Sequence, residues 1–297
     1  MKTFIIIGLY QRIIKFMNKS IKINGWNIHH NEKLFYQTNS GNPLIRLKFF
    51  HYPTYRQTVL VDKPPIKCQL KSKGYNSFFI FQHKVGTKGF ISLDRLVTVI
   101  PTISYFDIND NLGAISSFPK ALQQKYKQSS KYWPLNSEIL QDFSEEKWFE
   151  TDDLSDWVKS IYYFIKDILK YREKQDKRLG ANEAILTRTG DCDEFTDLFI
   201  TITRMRGIPC RRLTGYFIER KKAIPEAHAW GEILSPIKGW IPIDIALNNI
   251  GNHTINYVVL KIEEFNPALP NYQINTIHSS KIHYKWELPE PLITGIK

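Results

Sequence analysis

The sequence predicts an α+β fold, and three observations lead to this prediction. Short runs rich in β-branched and aromatic residues fill residues 44–106. Two helices with strong apolar periodicity follow, one over 154–169 and one that begins at Cys192. Short strands separated by tight turns come after the second helix, an order typical of a helix packed on one face of an antiparallel sheet.

The charge of the chain is unevenly distributed, which predicts two modules. The protein has 297 residues, 42% of them hydrophobic, enough for one large domain or two of ordinary size. Residues 1–135 carry a net charge of +15 and residues 136–297 a net charge of −3, which together give +12. We therefore predict a β-rich N-terminal domain over 1–130 and a second domain over 131–297.

The basic N-terminal half leaves open an anionic partner, which would be nucleic acid, an anionic surface or an acidic protein. The alternative, which charge alone favours, is a solvated basic face that keeps the protein soluble. The basic residues are scattered, and no dense run or specific nucleic-acid motif accompanies them.

The N-terminal segment contains a short apolar run, Phe4–Tyr10, which Gln11 and Arg12 interrupt. We interpret it as a strand or short helix packed on the body, with a targeting or membrane-surface segment as the alternative. No stretch reaches the roughly 18 apolar residues of a transmembrane segment. Three cysteines without a disulfide framework fit a reducing compartment, so the sequence predicts a cytoplasmic protein.

The sequence of the N-terminal half predicts β structure and shows no candidate catalytic residues. Turn-forming segments such as HYPTYR, DKPP and KSKGYN separate its strands, a pattern that favours a sandwich or barrel. Cys68 is interpreted as a strand residue, and a polar connection with a short helix over Lys120–Lys127 follows. The predicted strands are LIRLKFF, QTVLV, SFFIFQ, GFISL and LVTVIPTISYF.

The second half contains the predicted helices. The first covers Leu154–Leu169 and is capped by Thr151, Asp152 and Asp153. The second starts at Cys192 and ends where Gly207 and Pro209 stop it; its apolar stripe is Phe195, Leu198, Phe199, Ile202 and Met205. The strands predicted after it are Arg211–Ile218, Ala227–Leu234 and Trp240–Asp244.

Cys192 stands at a helix start, where a thiol ionises more easily because unpaired backbone N–H groups favour negative charge. The same N–H groups can stabilise an oxyanion on an attacked carbonyl carbon. Asp191 can cap this helix, but Asp191, Asp193 and Glu194 also oppose a thiolate. A reactive Cys192 therefore needs a cationic partner, for which histidine is the usual residue.

His228 is the predicted partner. In EAHAWGEI, strand alternation sends His228, Trp230 and Glu232 to one face, a set that suits the wall of a cleft. A hairpin turn before the next strand brings Asp244 near His228, where a carboxylate can fix the tautomer of the ring. Taken singly, each residue has a plain alternative: a buried cysteine, a satisfied strand histidine and a turn aspartate.

The segments RTGDCDEFTDLF, RMRGIPCRRLTGYF, EAHAW and GWIPID resemble, in order, the core motifs of the transglutaminase-like superfamily. The resemblance is specific over Leu186–Asp244 and looser from Trp133. It implies a papain/transglutaminase-like core, with Cys192, His228 and Asp244 as nucleophile, base and acid. An accessory β domain before the core is adopted from the family by analogy.

The resemblance implies a cysteine acyltransferase or hydrolase that acts on amide bonds of proteins or peptides. Water or an amine would resolve the thioester, so a protein-glutamine transferase, a deamidase and a thiol protease stay open, as does a non-catalytic binding module. Trp230 either lines a substrate channel or belongs to the core. We predict no cofactor and no metal, because zinc-type CxxC pairs and an acidic calcium loop are missing.

Overall fold

The computed structural model of the protein describes residues 23–39, 43–65, 67–142, 150–172, 177–219, 223–266, 270–277 and 281–296. The apolar run Phe4–Tyr10, for which a strand or short helix was predicted, lies outside these ranges. Within them, no helix combines the length and the apolar character that crossing a membrane requires.

The three predicted helices begin and end close to where the sequence places them, whereas the short helices Glu138–Gln141 and Ala181–Thr187 were not predicted. In α3 the carboxylate of Asp153 accepts hydrogen bonds from the backbone N–H groups of Ser155 and Asp156, which confirms the predicted cap. The helices of the described chain are α1 (Lys120–Tyr126), α2 (Glu138–Gln141), α3 (Leu154–Ile168), α4 (Ala181–Thr187) and α5 (Cys192–Met205), with a 3-10 turn at Ile115–Ser117.

The second half of the chain folds around a five-stranded antiparallel sheet, and α5 packs on one face of it. The strand order in this sheet is β15, β14, β13, β12, β17. The buried core between helices and sheet includes Trp157, Phe199 and Ile233. The strands of this half are β10 (Lys170–Tyr171), β11 (Thr189–Gly190), β12 (Cys210–Glu219), β13 (Ile224–Ser235), β14 (Gly239–Asp244), β15 (Asn249–Ile250), β16 (Asn252–His253) and β17 (Tyr257–Glu263).

The strands of the first half take part in three larger antiparallel sheets, and the ninth strand forms a two-stranded sheet with β16. All five strand runs predicted here are confirmed as strands. Cys68 begins a strand, as expected, while the strands over residues 25–38 lie outside the predicted runs. The strands are β1 (Gly25–His30), β2 (Lys33–Thr38), β3 (Leu44–His51), β4 (Gln57–Lys63), β5 (Cys68–Lys73), β6 (Asn76–Lys84), β7 (Lys88–Ser92), β8 (Arg95–Pro101) and β9 (Ser104–Tyr105).

The last segment of the chain returns to the N-terminal sheets. It forms β18 (Tyr272–Ile277), β19 (Ile282–Glu287) and β20 (Leu292–Ile296), which pair with β3, β2 and β1 respectively. The α+β class is thus confirmed. The division of the chain near residue 130 stays a prediction, to which the strand pairing adds that 272–296 join the N-terminal sheets.

Polar side chains fasten the N-terminal strands to the five-stranded sheet. The amide of Gln57 donates to the carbonyl of Val259 and accepts from its N–H, as a neighbouring strand would. Asn76 makes the same pair of hydrogen bonds to Ile262. Both contacts lie on β17, so the N-terminal strands cover one edge and one face of the sheet.

Candidate active site

Cys192 is the first residue of α5, and its side chain is half-buried. The preceding Asp191 caps the helix by accepting a hydrogen bond from the N–H of Asp193 at 2.8 Å. Glu194 completes a capping box by accepting from the N–H of Asp191 at 3.2 Å. The predicted cap is confirmed, and because Asp193 N–H is already bonded, it is not a free donor for an oxyanion.

Gly190 makes room for this capping box. A Cβ at this position would lie 2.3 Å from Cβ of Glu194, far inside contact distance. Glu194 is fully buried and also accepts from the N–H of Leu179 at 2.8 Å. Burial raises the pKa of Glu194 to about 7, so its carboxyl changes charge near neutral pH.

The acidic helix start has a cationic counterpart that the sequence analysis missed. Arg212 on β12 binds Asp193 at 2.5 Å, and it also reaches Asp197 and Glu263 at 3.2 and 3.0 Å. Burial acts to raise the pKa of Asp193, but the charge of Arg212 outweighs it and holds this pKa below its ordinary value. The doublet RR in GIPCRR was its only sequence signal.

His228 and Asp244 come together as predicted. The register of β13 and β14 pairs Gly231 with Ile243, so Asp244 lies diagonally across from His228 on the same face. The Nε2 atom of His228 lies 2.7 Å from Oδ2 of Asp244. Since Nε2 serves the carboxylate, Nδ1 is the ring nitrogen left for the sulfur.

The Cys192 side chain lies near enough to the His228 ring to act on its pKa. Burial works to lower the pKa of His228, but the charge and hydrogen bond of Asp244, and then the contact with Cys192, raise it to about 10. The ring is therefore an imidazolium at neutral pH. A neighbouring imidazolium favours the thiolate form of a cysteine.

Asp244 is buried and held from two further sides. The N–H of Leu247 donates to Oδ1 at 3.0 Å, and the hydroxyl of Tyr257 donates to Oδ2 at 2.8 Å. Tyr257 lies on β17, 13 residues after Asp244 along the sequence, and no local pattern pointed to it.

Trp230 lies in the core and not on an open wall. Its exposure is 1%, and its ring stacks on that of His228 with a centroid distance of 6.0 Å and an interplanar angle of 18°. Glu232, on the same face, is fully buried and bonded to Arg211 and Arg56. The expected cleft wall of His228, Trp230 and Glu232 is therefore wrong beyond the histidine, and the proposed channel role of Trp230 finds no support.

The described residues include one group whose atoms are close enough to hold a metal ion. These are Asp191, Cys192 and Asp193, whose ligand atoms lie within 4.8 Å of one another. The carboxylate of Asp191 caps the helix and that of Asp193 binds Arg212, so both already have partners.

A helix-borne cysteine beside a histidine and a carboxylate on an antiparallel sheet defines the class of papain-like thiol folds. Residues 142–245 match the model of the transglutaminase-like superfamily. No curated protein matches the sequence significantly.

The chain shares its fold with a solved structure. A candidate cysteine protease from Cytophaga hutchinsonii is similar to this chain at 19% identity and a TM-score of 0.59, covering 92% of this chain and 94% of its own. The periplasmic domain of TgpA from Pseudomonas aeruginosa, at 14% identity, has a TM-score of 0.38 and covers 70% of this chain and 90% of its own. The first likeness extends the shared fold beyond the core to the N-terminal strands.

Proposed function

We propose that the protein is a cysteine enzyme that cleaves amide bonds of proteins or peptides through a thioester on Cys192. The observation that carries this proposal is the position of the His228 ring, hydrogen-bonded to Asp244 and close enough to Cys192 for the two groups to interact. Such an arrangement serves nucleophilic catalysis, since the histidine both keeps the sulfur ionised and moves protons.

The reaction begins when the Cys192 thiolate attacks the amide carbonyl carbon. The negative charge that develops on the carbonyl oxygen lies at the amino end of α5, where the helix dipole stabilises it. The imidazolium of His228 donates its proton to the departing amine, the C–N bond breaks, and the acyl group remains on sulfur.

His228 is now neutral and acts as a general base. It takes a proton from water or from a second amine, which attacks the thioester carbonyl and expels the Cys192 thiolate. Asp244 keeps the ring oriented and supports its charged form in both halves of the reaction. Water as acceptor gives a hydrolase, and an amine as acceptor gives a transferase.

The description of one structural neighbour favours hydrolysis as the reaction. The Cytophaga hutchinsonii protein, which shares the fold over nearly the whole chain, is described as a candidate cysteine protease. A peptidase therefore stands beside the transferase and the deamidase as a form of the same Cys192 chemistry.

An activated ester tests the proposal without knowledge of the natural substrate. Wild-type protein mixed with p-nitrophenyl acetate is expected to release one burst of nitrophenolate and to gain one acetyl group on Cys192, detected by intact and peptide mass spectrometry. Cys192→Ala should show neither signal. A wild-type protein without burst and without acetyl-Cys192 contradicts the proposal.

The rate at which this acetyl-enzyme loses its acetyl group shows whether water or an amine is the acceptor. Adding glycine methyl ester should speed the loss of the acetyl group if an amine is the natural acceptor, and should leave it unchanged if water is. Fluorescently labelled casein, with and without a fluorescent primary amine, then separates cleavage from cross-linking on amide substrates.

A further inference from the structure

Tyr257 makes a directed hydrogen bond to the carboxylate behind the histidine. Its hydroxyl donates to Oδ2 of Asp244 at 2.8 Å, the same oxygen that faces Nε2 of His228 at 2.7 Å. The amide nitrogen of Asn249 donates to the hydroxyl oxygen of Tyr257 at 2.9 Å. Because the oxygen already accepts from Asn249, the hydroxyl proton points to Asp244.

The ring of Tyr257 packs against the histidine and its support. Its centroid lies 6.2 Å from that of His228 and 5.1 Å from that of Trp230, with an edge-to-face contact in the latter case. Its exposure is 2%. The tyrosine therefore contacts both members of the Asp244–His228 pair, one through its hydroxyl and the other through its ring.

Burial raises the pKa of Tyr257 above its ordinary value, so the hydroxyl keeps its proton wherever the protein is folded. The ring of His253 faces Tyr257 from the other side at 5.7 Å. Burial lowers the pKa of His253 to about 3, which leaves that ring neutral at the pH values of interest. Tyr257 is thus a permanent donor to Asp244, and the histidine ring that contacts it is neutral.

We propose that Tyr257 is a positioning residue of the active centre, one that fixes Asp244 and divides the negative charge of its Oδ2 atom between two donors. This inference rests on the proposed function for its catalytic meaning. The titratable groups that act on His228 are Asp244 and Cys192, and His228 also acts on Asp193. Tyr257 bonds directly to the first of these groups, Asp244.

Removal of the Tyr257 hydroxyl is expected to have two consequences. The carboxylate would give its Oδ2 atom to His228 alone, which strengthens the attraction for the imidazolium and shifts the titration of the ring to higher pH. The carboxylate would also turn more freely about its side-chain bond, so the ring would be held less firmly toward Cys192 and alkylation of the sulfur would slow.

The test compares Tyr257→Phe with Tyr126→Phe in the full-length protein. Both variants remove the hydroxyl of a buried tyrosine that donates to a carboxylate, in the control to Oε1 of Glu264 at 3.1 Å. The first readout is the titration of the His228 ring nitrogens by NMR on protein with nitrogen-15 histidine, assigned with His228→Gln. The second is the rate of Cys192 alkylation by iodoacetamide across pH.

We expect Tyr257→Phe to move the His228 titration upward by about half a pH unit and to slow alkylation about threefold to tenfold. Tyr126→Phe should change neither. Asn249→Ala keeps the tyrosine but removes the donor that orients its hydroxyl, so it should shift the titration in the same direction by less.

A folded Tyr257→Phe whose His228 titration matches that of the wild type overturns the inference, as does a shift of equal size in Tyr126→Phe. If Tyr257→Phe does not fold, an unchanged titration in Asn249→Ala overturns it instead. A different result would contradict the proposed function, namely a wild-type protein in which Cys192 accepts no acetyl group. A shifted titration in such a protein would leave Tyr257 as the residue that positions an Asp–His pair without acyl chemistry.

Discussion

The guanidinium of Arg212 binds the carboxylate of Asp193, the residue next to Cys192, at 2.5 Å. This contact resolves a conflict in the sequence, where three acidic residues surround a cysteine that needs a positive environment. Arg212 also binds Asp197 and Glu263, so it gathers three carboxylates beneath the helix start. The negative charge of Asp193, the residue that follows Cys192, is thereby paired with a buried cation.

Arg212→Met should destabilise the protein strongly. It would remove one of the two guanidinium groups that the buried carboxylates of Asp197 and Glu263 share, the other being that of Arg178, at a cost of about 3 kcal/mol in the free energy of unfolding. Urea denaturation measures this loss, with Lys238→Met as the control because its ion pair with Asp110 is largely exposed. Equal small losses in both variants would contradict a structural role for the Arg212 cluster.

Iodoacetamide at neutral pH should label Cys192 and spare the other two cysteines. Burial raises the pKa of Cys68 to about 11 and that of Cys210 to about 12, so both stay protonated and unreactive. Intact-mass and peptide mass spectrometry should find one label at Cys192, formed at least tenfold more slowly in His228→Ala. Labelling spread evenly over the three thiols would speak for the non-catalytic binding module.

Asp244→Asn should reverse the pH dependence that His228 gives to stability. The folded pKa of His228, about 10, lies above its ordinary 6.5, so this contribution is complete below pH 6.5 and is lost as pH rises through 10. Wild-type protein should lose about 3 kcal/mol of unfolding free energy over this range from this group. Without the carboxylate, burial dominates and the neutral ring is favoured.

Urea denaturation at pH 6 and pH 10 measures the difference, with Asp110→Asn as a surface control. Alkylation of Cys192 in Asp244→Asn should slow about tenfold to a hundredfold at neutral pH, since the ring loses its charge. A variant with the wild-type slope of stability against pH would show that Asp244 does not sustain the imidazolium.

Much of the site was open to prediction from sequence because its signals are local. A helix cap before Cys192, strand alternation around His228 and a hairpin before Asp244 each act over a few residues. The support of these residues depends on distant contacts instead. Tyr257 reaches Asp244 from another strand, and what covers Trp230 depends on β12 and β17, so alternation predicted its face but not its burial.

In the fold, too, some elements could be predicted from local patterns and others could not. The core helices and most strands followed from periodicity, whereas β18 to β20 pair with strands from the other end of the chain, for which no local signal exists. The domain boundary, an anionic partner of the basic half and the cellular compartment depend on properties of the whole molecule and its surroundings. They stay predictions.

Gly231→Ala should loosen the contact between the histidine strand and the cysteine helix. A Cβ at position 231 would lie 2.7 Å from the ring of Phe199 on α5, so either the ring or the strand must shift. We expect a loss of about 2 kcal/mol in unfolding free energy, as for overpacked cores, together with slower alkylation of Cys192. Gly86→Ala is the control, since a Cβ there would meet nothing within 4 Å.

Glu194→Gln should remove a pH dependence of stability. In the wild type the carboxyl of Glu194 makes the protein less stable as pH rises, whereas a carboxylate with a lowered pKa makes a protein more stable as pH rises. Burial raises the folded pKa of Glu194 to about 7 from an ordinary 4.5, so the folded state binds its proton more tightly than the unfolded state. The unfolding free energy should therefore fall as pH rises from 4.5 to 7, by about 2 kcal/mol from this group.

Glutamine cannot titrate, and its amide offers a single acceptor to the N–H groups of Leu179 and Asp191. The variant should be less stable than the wild type at acid pH, while its stability should change less between pH 4.5 and 7. Urea denaturation at several pH values in this window measures both effects, with Glu183→Gln on α4 as the control. Parallel curves for wild type and Glu194→Gln would mean that another group carries the dependence and that the capping box stays ionised throughout.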